Sequence, residues 1–402
     1  MSDAGAFAGR LRQNIRLNYA YTALIYAQLD KGVWMLFLSF RGLGLVEIGL
    51  VESAYQLAML VFGVPAGAIA DLIGRKVCLV LSVVAKIAGY TLILSSHGTV
   101  GFAAGFVLGA ISTVLYQGAS ESLTYDSCKI AGLQGSYKKI YGNILALAFV
   151  SAAIGLAAGG LIASFSYEWV YYASIAVLLC ALVPAALFTE TRGVADSADG
   201  AVGKRRPSVT ALFSKTVRLI ADNPLILYLL ILSASITVVD MTIYMYCQKY
   251  FEGMSIPLYL IGIIFCVDSV CAAIGARYAY ALERFRNRDV ILLIPVVIVA
   301  MYILLALING PIVVLMLWIA TVFVVGFWPI LSDLINTRVP TENRATVLSV
   351  KSQLSSMGVA IVFPVAGLIA SQSSLSTAFL WLVVIAIPLM VFCVVKIRKI
   401  AF

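Results

Sequence analysis

Twelve runs of roughly twenty predominantly apolar residues follow one another along the chain, and each is the length one α-helix needs to cross a hydrocarbon core. They fall near 14–40, 45–69, 77–95, 99–123, 141–164, 168–188, 224–248, 257–281, 289–308, 311–336, 345–370 and 376–395. In lipid every backbone N–H and C=O has to be satisfied within its own segment, so such runs are expected to be helices. The composition agrees. Of 402 residues 62% are hydrophobic and 12% charged, against about 45–50% and about 25% in soluble domains. Twelve spans and their connections use nearly the whole length. That excludes a large extramembrane catalytic domain and implies an all-α integral membrane protein.

The formal charge of +9 is explained by topology. Of the 28 Lys and Arg, twenty-three fall on the N- and C-terminal stretches or on connections from even to odd spans, among them Arg10, Arg75, Lys139, Arg206, Arg284 and Lys399. Only Arg41 and Lys249 fall on the other side, while Lys31, Lys86 and Lys351 lie inside spans. By the positive-inside rule both termini are expected in the cytoplasm, as in a multi-pass protein of the inner (plasma) membrane. No nucleic-acid partner is expected. Residues 1–16 are polar and basic, without the apolar stretch of a cleavable leader, so the first span is read as the insertion signal. The seven cysteines lack paired spacing and read as small apolar side chains. His97, the one histidine, sits in a short turn. Neither a metal nor a cofactor is implied.

The longest polar stretch separates spans six and seven. The expected organisation is a six-helix bundle over 1–190, a cytoplasmic linker over 191–222, and a second six-helix bundle over 223–402. The linker ends in 208–221, where Val209, Leu212, Phe213, Val217 and Ile220 alternate with Lys215 and Arg218, the pattern of an amphipathic helix on the membrane surface. The halves correspond weakly: the first span of each holds one aspartate, Asp30 and Asp240. Two like halves with polar groups near the midplane are the signature of a rocking transporter.

Between spans two and three stands Gly67-x-x-x-Asp71-x-x-Gly74-Arg75-Lys76. Glycines there permit a tight turn and close backbone approach. This segment resembles the signature of the major facilitator superfamily, G-x-x-x-D-x-x-G-R-K/R in the same loop, and the span number, linker and termini agree over the whole chain. The resemblance implies a gate latch in which Asp71 and Arg75 pair with an acid at the inner end of span four. Asp126 occupies that position. The second half's counterpart, from Ala279 to Arg288, lacks the glycines, so one good latch is expected. Ser151-x-x-x-Gly155-Leu156-x-x-Gly159-Gly160 approaches the antiporter pattern G-x-x-x-G-P-x-x-G-G, without its proline; close helix packing alone also accounts for it. The arginine common on span four of proton-coupled members is absent. Asn336-x-Arg338 through Glu342-Asn-Arg344, and Gly118-x-x-Glu121, resemble inner segments of bacterial efflux-type facilitators.

Charges within the spans give a second line of evidence. Six acids (Asp30, Glu52, Glu121, Asp240, Asp268, Asp333) and three lysines each cost about 2.5–3.5 kcal/mol at a helix centre unless they meet a partner or a wet cavity. Asn18, Thr22, Tyr26, Asp30 and Trp34 recur every four residues on span one, as do Thr113, Gln117, Glu121 and Tyr125 on span four; Asp240, Tyr244 and Gln248 share a face on span seven. In the facilitator fold spans one, four and seven line the cavity. Tyr26, Asp30, Trp34, Gln117, Asp240 and Tyr244 are therefore the expected substrate contacts. Glu121, Asp268 and Asp240 are the expected proton carriers.

The expectation is thus a secondary active transporter working by alternating access, not an enzyme, coupling proton entry to efflux of a small amphiphilic or cationic compound. A proton-coupled importer of a metabolite uses the same carboxylates. No nucleotide-binding G-x-x-x-x-G-K-[ST] occurs, which argues against primary active transport. The expected partners are substrate, proton and lipid bilayer, with the chain a monomer.

Overall fold

The computed structural model describes residues 2–63, 66–191, 220, 222–282, 287–308, 310–340 and 343–401. The linker and nearly all of the surface helix expected over 208–221 lie outside the described residues. The helices are α1 Ser2–Ile25, α2 Trp34–Phe40, α3 Leu45–Gly63, α4 Ala66–Ile73, α5 Arg75–Ser95, α6 Thr99–Ile130, α7 Tyr137–Ala163 and α8 Tyr167–Leu187. Beyond the linker follow α9 Pro224–Gly253, α10 Leu258–Leu282, α11 Asn287–Leu307, α12 Ile312–Asn336, α13 Arg344–Gln372 and α14 Leu375–Ala401. There is no strand among the described residues. Eleven helices, α3, α5 to α8 and α9 to α14, are long and apolar enough to cross a membrane. The remaining expected span, 14–40, is interrupted.

Local chemistry sets several helix starts. Ser166 accepts the Glu168 amide at 3.2 Å to cap α8. Asn223 caps α9 ahead of Pro224, whose missing N–H costs nothing at a first helical position. Prolines 184, 295, 329, 364 and 388 sit inside helices, as membrane spans tolerate when neighbours re-satisfy the freed backbone groups. Large apolar side chains such as Phe149, Ile154, Leu293 and Ile385 stay exposed, which suits a hydrocarbon solvent.

The backbone gathers into two compact units, residues 1–34 with 58–206, and residues 35–57 with 207–402. In the first unit α1 is tied to α6 by buried polar bonds: Asn18 donates to Thr124 Oγ1 at 2.6 Å and Asn14 to Ser127 Oγ at 3.1 Å. Asn14 also exchanges two 2.8 Å bonds with the Thr189 backbone. The four-residue stripe expected to line a cavity is, at Asn18, an interhelical seam, with buried Thr22 donating back to Asn18 at 3.4 Å, because small polar groups glue helices together where lipid offers no acceptors. In the second unit Tyr246 stacks on Phe363 with centroids 4.4 Å apart and donates to the Phe363 carbonyl at 3.0 Å. Residues 35–57 are bonded into that unit: the Met35 amide donates to Gln248 Oε1 at 3.2 Å, and Ser53 Oγ donates to the Ala360 carbonyl at 2.6 Å.

The interruption is a true break. Helix α1 ends at Ile25 with a last bond from the Tyr26 amide to the Thr22 carbonyl, one 3₁₀ turn covers Leu29–Gly32, and α2 begins at Trp34. Non-helical backbone at membrane depth persists only where protein or a wet cavity covers it. Here α7 covers it. A Cβ on Gly159 would stand 1.8 Å from the Leu29 carbonyl oxygen, and one on Gly155 2.9 Å from the Gln28 nitrogen. The small-residue face of the antiporter-like pattern therefore receives the broken segment.

Candidate functional site

Among the described residues, three groups of polar side chains hold the expected site residues, two in the first unit and one in the second. At the α4–α5 turn Gly74 has φ +99°, a left-handed conformation that other residues adopt only with strain. Its empty side also admits Glu190 Oε2, 2.7 Å from where a Cβ would stand. Glu190 accepts the Lys76 amide at 3.0 Å, at the start of α5, where a carboxylate complements the exposed N–H groups. Arg75 pairs with Asp126, donates to the Ser122 carbonyl and to Thr191 Oγ1 at 3.2 Å each, and lies 4.0 Å from Asp71. The structure thus brings Asp71, Gly74, Arg75, Lys76 and Asp126 together. Gly67 lies in α4, without described surroundings. Glu190 and Thr191 were not foreseen; they lie outside the motif, and only tertiary folding brings them to it.

The two acids of this cluster are not equivalent. Asp126 is 9% exposed and Asp71 48%. Arg75→Ala leaves Asp126 buried without its cation and is expected to cost about 3–5 kcal/mol. Asp71→Asn should cost well under 1 kcal/mol, as for a solvated pair. Thermal unfolding of the detergent-solubilised variants checks this order, and equal losses would show that Asp126 does not depend on Arg75.

The second group surrounds the break. Tyr90 donates to Asp30 Oδ1 at 2.6 Å, and Lys86 of α5 interacts electrostatically with both Asp30 and Lys31. The Lys86 ammonium lies 5.9 Å from the Tyr90 ring centre, and Tyr90 meets Tyr171 edge-on at 5.5 Å. Lys86, whose partner the sequence left open, is Asp30's neighbour. Asp30 is therefore already compensated. Trp34 is buried edge-on against Phe106 at 5.2 Å, and Tyr26 meets Tyr116 at 5.5 Å. Gln117 is exposed, as is Glu121, whose oxygens accept from Tyr137 at 3.3 Å and Tyr141 at 3.2 Å.

The third group belongs to the second unit. Asp240 of α9 accepts from Tyr302 of α11, and Asp268 of α10 accepts from Thr321 of α12 at 2.7 Å. Asp268 is 4% exposed. The two carboxylates are close enough to interact electrostatically, and Tyr244 interacts with both while its ring meets Phe265 at 4.9 Å. No lysine or arginine pairs with either acid among the described residues. Each carboxylate holds one hydroxyl donor and has lone pairs to spare, so each can bind and release a proton without breaking an ion pair. Tyr302 and Thr321 went unforeseen because a lone hydroxyl on an apolar span carries no pattern.

Such a helical framework, with a broken first span and carboxylates buried inside it, is that of a polytopic membrane carrier. The Major Facilitator Superfamily model matches residues 20–352. The chain belongs to that superfamily. An uncharacterized MFS-type transporter of Bacillus subtilis (strain 168), YxaM, is 20% identical over 388 residues, 94% of each chain. Among solved structures, a mutant of the nucleoside transporter NupG superposes with a TM-score of 0.80 at 13% identity, over 97% of this chain and 99% of that one. A bacterial homologue of the human lysosomal transporter Spinster, inward-facing and unoccupied, gives 0.75 at 14% identity, over 98% and 97%.

Proposed function

We propose that the protein is a proton-coupled secondary transporter that exports a small amphiphilic compound, with Asp268 carrying the proton and Asp240 beside it. The observation behind this reading is the Asp240–Asp268 pair, half-buried at Asp240 and buried at Asp268, held by Tyr302 and Thr321 with no cation paired to either acid among the described residues. Two carboxylates close enough to interact, each keeping free lone pairs, can exchange a proton with whichever side of the membrane reaches them. A proton drives alternating access only through different affinity in the two states, and a buried acid acquires that difference when water reaches it.

In this reading the two six-helix halves, 1–190 and 223–402, rock about the linker, and the Asp71–Arg75–Asp126 cluster, with Gly67, Gly74 and Lys76, is the inner latch. Tyr26, Trp34, Gln117, Asp240 and Tyr244 are the proposed cargo contacts. Asp30, held by Tyr90 and flanked by two lysines, is better suited to shaping the break than to meeting a cationic cargo. The proposed setting is the inner membrane, as a monomer with both termini cytoplasmic. Outward direction rests on the efflux-type inner segments; import is the alternative and uses the same acids.

The test is proton flux in proteoliposomes under an imposed pH gradient, screened against a compound panel. At least one compound should evoke flux that empty vesicles lack. Accumulation of a cargo with no response to the pH gradient would refute proton coupling.

A further inference from the structure

Lys351 is a cation within the spans that the carrier reading leaves unused. It lies on α13 about 10 Å along the axis from Arg344, at 1.5 Å per residue, inside a segment apolar enough to cross the membrane. Its ammonium sits 3.6 Å from the centre of the Trp328 ring on α12. An ammonium has three N–H donors, and among the described residues no carboxylate, carbonyl or hydroxyl accepts from this one. The other two lysines within spans, Lys31 and Lys86, share Asp30, and Lys249 bonds Glu252. An ion of this kind inside a span marks a ligand path by default. The indole face holds the cation in place by cation–π attraction and leaves its remaining donors unused.

We propose that Lys351 and Trp328 form the recognition point for an anionic group (a carboxylate, phosphate or sulfonate) on an amphiphilic cargo. The ammonium supplies the charge and the donors, while the indole offers an apolar surface for the rest of the molecule. The assignment rests on the carrier reading and narrows its substrate class from amphiphilic compounds to amphiphilic anions. A lipid headgroup offers the same chemistry, so the experiment separates the two sources.

The full chain is placed in phosphatidylcholine nanodiscs at one pH, and binding of 2-naphthoate, 2-naphthyl phosphate and 2-naphthalenesulfonate is compared with that of neutral 2-naphthamide. At least one anion should bind about tenfold or more tightly than the amide. Lys351→Gln should erase that preference, Lys351→Arg should restore it, and Trp328→Leu should weaken anion and amide alike. If no anion exceeds the amide, or if Lys351→Gln keeps the preference, the proposal is wrong. Lys351-dependent thermal stabilisation by added phosphatidylglycerol, without any preference for the soluble anions, would assign the point to a headgroup and equally overturn it. No proton gradient is present, so failure here is independent of failure at Asp268.

Discussion

Asp268→Asn should abolish pH-driven accumulation of cargo in proteoliposomes while leaving counterflow of labelled for unlabelled cargo near the wild-type rate. Counterflow needs only that the loaded carrier change sides; accumulation needs the proton to favour one side over the other. Coupling free energies of this kind run to about 1–3 kcal/mol, so their loss should lower the accumulation ratio by about 5- to 150-fold. Asp268 is favoured because it is 4% exposed and held by Thr321 alone, whereas Glu121 is exposed and already receives two tyrosine hydroxyls. Asp240→Asn should reduce accumulation less completely, and Glu121→Gln least. Full pH-driven accumulation in both Asp268→Asn and Asp240→Asn would move the coupling elsewhere and favour a uniport or another driving ion.

The second large effect is expected at the break in the first span. Gly159→Val places branched carbons where the Leu29 carbonyl already stands, 1.8 Å from the first of them. Overpacking usually costs about 1–3 kcal/mol when side chains can yield; here the opposing atom is backbone, so the loss should reach the top of that range or exceed it. The expected result is little monodisperse protein after solubilisation, or a clearly lowered unfolding midpoint. Gly142→Val is the control on the same helix, since a Cβ there meets nothing within 4 Å. Equal stability of the two variants would mean that α7 does not approach residues 27–29 so closely.

Much of the fold was legible because hydropathy over twenty residues is a strong physical signal and the bilayer leaves few alternatives. The clustering of Asp71, Gly74 and Arg75 was legible because turn geometry forces glycine and charge into fixed positions, while Asp126 was expected from the family resemblance. What escaped was local or long-range. The break over 26–33 is flanked by apolar runs whose averaged hydropathy is unaffected by a few non-helical residues, and the period of four placed Asp30 on a stripe that ends at Ile25. The same period could not separate a cavity lining from a buried seam, which is what Asn18 forms with Thr124. Lys86 and Asp30 are on different helices, and nothing in either neighbourhood announces the other. Glu190 is a lone acid after α8; its role exists only because Gly74 leaves room for it.

The second unit is discontinuous in the chain, and this has a consequence for biosynthesis. Its segment 35–57 is made early, yet the Ala360 carbonyl that receives Ser53 Oγ lies 307 residues further on. At about 5–20 residues per second the ribosome needs roughly 15–60 s to supply that acceptor. Throughout that interval Ser53 has only its local acceptor, the Gly49 carbonyl at 2.9 Å, beside the acid–amide couple Glu52–Gln56, bonded at 2.7 Å within the same helix. Completion of the second unit therefore waits on translation of α13, the helix that carries Ala360.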